Sequence, residues 1–180
     1  QLLPAIYEAA AGETYPDLLR RHVYTPAGMK DTDFWFADSQ ERDFADGCRR
    51  NDVRWGNPVD DAMWDASGPS WNLKGAGGLL STAASLGRFF EGIGRGVYFD
   101  DPAQLEKYKA SRLVFSNNWQ QRVIGSAGSN GIFNAVAFWA DADRVNVILM
   151  TNRADHPGEN GLIRDILRLI PRDSLAGSAR

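Results

Sequence analysis

The chain has 180 residues, 43% hydrophobic and 24% charged, a globular composition with enough apolar material for one core. A formal charge of -3 gives no electrostatic reason to expect nucleic acid or an anionic membrane surface as a partner. No apolar run is long enough for a membrane span, no signal-peptide pattern opens the chain, and the single Cys48 rules out an internal disulfide.

Leu2, Leu3, Ile6, Tyr7 and Ala10 recur at helical spacing, and Gly12 supplies a stop. A helix already under way at Leu2, behind Gln1 rather than Met, reads as a cut through a longer protein. Thr14 predicts the start of a second helix, with Pro16 in its first turn and Asp17 in a capping-box arrangement. Leu18, Leu19, His22 and Val23 form its apolar stripe, and Pro26, Ala27 and Gly28 end it. On that stripe His22 is expected as a partly buried core residue rather than a catalytic base.

Between residues 30 and 74 the periodicity fails. Charges alternate in sign, and four of the six tryptophans (Trp35, Trp55, Trp64, Trp71) fall there. A long irregular segment of this kind reads as a lid-like insertion or binding loop. The equal alternative is a solvated excursion pinned by its tryptophans. Asp60, Asp61 and Asp65 lack the glycine and terminal glutamate of a calcium loop, so they read as charged surface. No metal and no cofactor is expected.

Residues 75–82 (GAGGLLST) form a tight turn into a helix capped by Ser81 or Thr82. Leu86, Phe89, Phe90 and Ile93 make its apolar face and Gly94 closes it, while the Gly-Lys-Ser/Thr ending of a phosphate loop is absent. Residues 102–109 predict a short helix and 119–126 a strand. The glycine-rich stretch 125–131 (GSAGSNG) lets another backbone or a ligand come close. Residues 133–140 and 145–151, around Asp141, Ala142 and Asp143, predict a β-hairpin. Pro157 opens a last helix with Leu162, Ile163, Ile166, Leu167 and Ile170 facing inward; Pro171 stops it, and residues 172–180 fray. The expected architecture is α+β: one domain over residues 1–171, with helices, an antiparallel meander of about three strands, and a helix laid on the sheet.

At this point the motifs resemble a known family. Residues 15–19 (YPDLL), 25–32 (TPAGMKDT), 75–83 (GAGGLLSTA), 125–131 and 150–153 (MTNR) are similar to segments of the class C β-lactamase and penicillin-binding-protein-like family. Its members include D-alanyl-D-alanine peptidases and serine esterases. The resemblance implies the C-terminal part of a β-lactamase/transpeptidase-like fold. It also implies acyl transfer through the serine of a Ser-x-x-Lys motif, whose lysine helps remove the hydroxyl proton.

No serine here has a lysine three residues later. Ser85-Leu86-Gly87-Arg88 comes nearest, and an arginine stays protonated and cannot act as that base. The family's Tyr-x-Asn motif is absent too; Ser70-Trp71-Asn72 and Ser116-Asn117-Asn118 mimic it out of place and read as coincidences. No catalytic residue is therefore assigned. The third motif, Lys-Thr-Gly or His-x-Gly in the family, matches Ser126-Ala127-Gly128, with serine replacing the positive or titratable group. By resemblance, Ser126, Gly128 and Ser129 bind substrate: Gly128 keeps a close backbone approach, and Ser129 offers its N–H to an oxyanion hole. Ser126 as a nucleophile lacks a Gly-x-Ser-x-Gly surround, and a structural serine at a strand edge is the favoured reading.

The expected function is that of a C-terminal fragment of a serine β-lactamase-like hydrolase, inactive alone. The complete parent would act on a small acyl substrate: a β-lactam, a D-Ala peptide or an ester. The alternative is a non-catalytic binding module of the same fold, and a third idea is a cysteine hydrolase using Cys48 with His22 or His156. The resemblance places the family's first strands beside the third-motif strand. Without them a sheet edge and an apolar helix face stand open, which predicts a homo-oligomer.

Overall fold

The computed structural model describes residues 2–38, 42–57, 74–112, 114–116, 121–140, 145–153, 162 and 165–166. Local signals set the first helices. α1 (Leu2–Ala11) stops at Gly12, whose φ of +70° is left-handed backbone that glycine adopts without strain. Thr14 caps α2 (Tyr15–Leu19) by accepting the Asp17 N–H at 3.3 Å. Glu8 ties the two helices together by accepting the Tyr15 N–H at 2.7 Å. Leu2, Leu3, Ile6 and Tyr7 of α1 are all more than half exposed, so its apolar face is open among the described residues.

α2 then widens into a π-helical turn, Arg20–Tyr24, and ends in an α-turn, Thr25–Ala27, closed by left-handed Gly28. A π-turn takes more residues than an α-turn, so side chains beyond it rotate off the α-helical projection. This corrects the expectation for His22. The core residue is Tyr24, whereas His22 is exposed and accepts a hydrogen bond from Arg21 Nε at 3.0 Å.

The irregular segment leaves the fold through a closed neck. Asp33 and Leu80 exchange backbone hydrogen bonds of 3.1 and 2.8 Å, and the Thr32 and Ser81 hydroxyls lie 2.7 Å apart. Asp33 is buried and takes a forked pair of hydrogen bonds from Arg20, at 2.5 Å from Nε and 3.0 Å from Nη2. Part of the excursion returns to the main sheet as a two-stranded ribbon, β1 (Gly47–Cys48) and β2 (Arg54–Gly56). Cys48 donates its N–H to the Asn152 carbonyl at 2.7 Å, Asn152 Nδ2 donates to the Asp46 carbonyl at 2.7 Å, and Arg153 pairs with Asp52. Asp46 takes two hydrogen bonds from Arg54 and one from Asn57; these hold its carboxyl below the usual carboxylate range, Arg54 contributing most. The described part of the excursion is therefore pinned to the sheet.

After the neck, Thr82 rather than Ser81 caps α3 (Ala83–Gly94), its hydroxyl accepting from the Ser85 N–H at 3.1 Å. Asp101 starts α4 (Pro102–Arg112) by accepting the Ala103 N–H at 2.8 Å. A four-stranded antiparallel meander follows: β3 (Val114–Ser116), β4 (Gln121–Ser129), β5 (Asn134–Ala140) and β6 (Val145–Thr151), in spatial order. The expected hairpin forms β5 and β6. Of the expected strand at 119–126, residues 121–126 fall in β4, which runs on to Ser129, while 119 and 120 lie outside the described residues; β3 adds a short strand that sequence periodicity did not show.

Alternation divides the sheet into two faces. Ile124, Ala137 and Trp139 pack under Phe90 and Ile93 of α3, with Leu105 and Tyr108 of α4 against the same cluster. On the opposite face Val123, Ala140 and Val147 meet Phe138, Val145 and Ile166. Of the last predicted helix, Leu162, Asp165 and Ile166 are described as helical; Ile166 faces the sheet as expected, but Leu162 is 40% exposed. The fold is α+β, a sheet layered with helices. No described helix is long and apolar enough to cross a membrane. Asp60, Asp61, Asp65, Ser70, Trp71, Asn72, the 141–143 turn, His156 and the 172–180 tail lie outside the described residues.

Candidate functional site

β4 carries all three predicted substrate-binding residues. Ser126 stands opposite Ala137, Gly128 opposite Ala135 and Ser129 opposite Asn134. The stretch 125–129, expected as a glycine-rich approach to the hairpin, is itself strand, and the reversal comes at Gly131 and Ile132, between Asn130 and Phe133. Asn130 Oδ1 accepts the N–H groups of Ile132 at 3.0 Å and Phe133 at 2.8 Å, while Ser129 Oγ accepts the Gly131 N–H at 2.9 Å. Asn followed by Gly, an asparagine whose side chain can hold the backbone of a turn and a glycine free to take positive φ, was the sequence feature that could have located this turn.

The turn also sets which way the β4 amides point. Asn130 donates its N–H to Phe133 O across the hairpin at 3.2 Å. Strand amides alternate in direction, so those of Ser129, Ala127 and Gly125 point away from β5. β3 covers β4 only along Gln121, Arg122 and Val123. Among the described residues, the Ser129 N–H therefore faces an unpaired edge. Ser126 and Gly128 share the face of Ile124 and are exposed, and a Cβ at Gly128 would meet nothing within 4 Å. The close approach expected at Gly128 is thus open space among the described residues. Gly125 has a structural task instead, because a Cβ there would overlap the Phe138 ring.

Such an edge can donate hydrogen bonds to charge developing on a carbonyl oxygen, an effect of about 3–4 kcal/mol per donor in acyl-transfer sites. Ser85, the nearest approach to a Ser-x-x-Lys serine, is fully buried beneath the neck, where its Oγ accepts the Asp31 N–H at 3.4 Å. Cys48 sits half-buried in the ribbon against Asn152, and His22 lies exposed on the π-helical turn after α2, beside Arg21. The structure shows no contact joining Cys48 and His22. Among the described residues no cluster of His, Cys, Asp and Glu could hold a metal ion.

Comparison with solved structures finds the same fold. The octameric penicillin-binding protein homologue from Pyrococcus abyssi superposes with a TM-score of 0.61 at 19% identity, over 84% of this chain and 36% of that one. D-amino acid amidase from Ochrobactrum anthropi SV3 gives 0.59 at 18% identity, over 97% and 55%. The β-lactamase/D-alanine carboxypeptidase from Pseudomonas syringae gives 0.64 at 12% identity, over 99% and 58%. The chain thus spans between about a third and three fifths of the length of these proteins. No curated protein sequence matches it. The profile of the family described as Beta-lactamase matches residues 1–170, nearly the whole chain and all of β4, and on that match the chain belongs to the β-lactamase family.

Proposed function

We propose that this chain supplies the third-motif strand of a serine acyl-transfer site, and that the nucleophile comes from sequence outside these 180 residues. The observation that carries the reading is the Ser129 N–H at an edge of β4 that is unpaired among the described residues, beside exposed Ser126 and Gly128. No Ser-x-x-Lys occurs in the 180 residues, and the structurally similar proteins are substantially longer. Those proteins include an amidase and a carboxypeptidase, so the substrate class is a small acyl compound: a β-lactam, a D-Ala peptide or an ester. The chain alone has no turnover in this reading. Intact mass after incubation with a reactive penicillin, and separately with an activated phosphonate ester, should show no adduct on the folded protein. A stoichiometric adduct on Ser126 or another serine would mean that the chain carries its own nucleophile.

A second reading, a non-catalytic binding module, is favoured by the serine at position 126 where the family has lysine or histidine. An in-frame Ser-x-x-Lys upstream in the coding sequence supports the first reading; a coding sequence without one supports the second.

The chain is further proposed to self-associate through its sheet edge. Support comes from the β4 edge and the apolar face of α1, unpaired and open among the described residues, and from the octameric state of the Pyrococcus homologue. Light scattering at micromolar concentration should show a dimer or larger assembly. Ala127→Pro, which removes an outward N–H without touching the β5 ladder, should shift it toward monomer. A monomeric parent chain would refute the proposal.

A further inference from the structure

Alternation on the sheet places Phe133, Ala135, Ala137 and Trp139 of the β5 side on one face with Asn130, Gly128, Ser126 and Ile124 of β4. On β6, Met150 stands opposite Ala135 and Ile148 opposite Ala137. One end of this face lies beneath α3, where Ile124, Ala137 and Trp139 join Phe90 and Ile93. At the other end the ribbon packs against the hairpin turn. Trp55 of β2 meets Phe133 edge-to-face with ring centroids 6.2 Å apart. Gly47 of β1 lies so close that a Cβ would come within 2.6 Å of Ile132 and 3.1 Å of Phe133.

Between these two walls the floor is Gly128, Ala135 and Met150. Nothing described covers it: Gly128 is open, and Met150 is 42% exposed. From Ala137 to Phe133 is four residues, or ~13 Å at ~3.3 Å per residue. The result is a short apolar trough alongside the edge at which the Ser129 N–H points outward. Its lining is an aromatic pair and a thioether, groups that favour flat rings over branched aliphatic chains. The trough is uncharged on its floor, so it offers nothing to pair with a charged acyl group.

Resting on the reading of β4 as the oxyanion strand, we propose that Trp55, Phe133 and Met150 form the acyl-side-chain subsite and select substrates with an aromatic acyl group. A carbonyl held at the Ser129 N–H would lay its acyl substituent across Gly128, which has no side chain to obstruct it. The ribbon is tied to the sheet by hydrogen bonds of Cys48 and of Asp46 with Asn152 and of Asp52 with Arg153.

Backbone amide NMR titration of the chain with phenylacetyl-D-alanine and with acetyl-D-alanine tests it. Both probes should shift the Gly128 and Ser129 amides, and burial of the phenyl ring should make the first bind about 10-fold more tightly. Trp55→Ala should abolish that preference while leaving the acetyl-D-alanine shifts in place. Met150→Gln, on the exposed floor, should reduce the preference without endangering the ribbon. Equal affinity for the two probes, or a preference that survives both substitutions, would overturn the subsite and leave the oxyanion-strand reading standing. No shift at Ser129 with either probe would overturn that reading and the subsite with it.

Discussion

Trp139→Ala should destabilise the chain by about 3–5 kcal/mol, the range for large aromatic side chains deleted from a packed core. Trp139 is 3% exposed and is the last residue but one of β5, opposite Ile124 on β4 and Asn146 on β6. α3 closes over it so tightly that a Cβ on Gly94 would lie 3.1 Å from the indole. Lys109 of α4 brings its ammonium to 5.7 Å from the ring centre. One side chain therefore joins both helices to the sheet, and its removal leaves a cavity that rigid strands cannot collapse to fill. Because domains are stable by only about 5–15 kcal/mol, the loss would be a large part of the total. Urea unfolding of Trp139→Ala and Trp139→Phe measures it, with the phenylalanine variant retaining much of the packing. A loss below about 1 kcal/mol in the alanine variant would show that α3 and α4 are held by other contacts.

Arg20→Ala comes second, at about 2–3 kcal/mol. Breaking a buried ion pair typically costs about 3–5 kcal/mol because it strands a charge, and the 45% exposure of the Arg20 side chain reduces that here. The partner left behind is Asp33, whose side chain is only 11% exposed and would keep the Phe34 N–H, at 2.7 Å, but lose its cation. The pairing also pushes the Arg20 pKa upward, the hydrogen bonds to Asp33 being the main cause. Asp33 forms half of the neck with Leu80, so the effect should be local as well as global. Amide exchange at Asp33 and Leu80 should accelerate in Arg20→Ala more than exchange in β5. Arg20→Lys should restore only part of the protection, since an ammonium cannot make the forked contact. The Arg20→Ala/Asp33→Ala double variant should be less impaired than additivity predicts, because no buried charge is stranded. Unchanged exchange at Leu80 in Arg20→Ala would disconnect the ion pair from the neck.

Helix starts and stops were legible because capping is short-range chemistry. Thr14, Thr82, Gly12 and Gly28 act on backbone groups within a few residues, and each does so in the structure. The β5–β6 hairpin was legible for a similar reason, since period-two alternation reports its own pleat. The family motifs marked β4 as the strand to examine, although they could not say which way its amides point. β3 escaped notice because three residues are too few to display a period.

By itself, then, the sequence determined where most elements lie, which residues share a face, the α+β class, and the absence of a Ser-x-x-Lys serine. Tertiary structure alone decided what each face meets. It exposed His22 and buried Tyr24 through one π-turn, and left Leu2, Leu3, Ile6 and Tyr7 of α1 open. It folded an aperiodic segment back so that Trp55 met Phe133, and it turned the Ser129 N–H to an edge unpaired among the described residues. The physical reason is range. Capping and pleat are settled between neighbours in the chain, whereas burial and edge pairing depend on segments dozens of residues apart, whose approach no local pattern encodes.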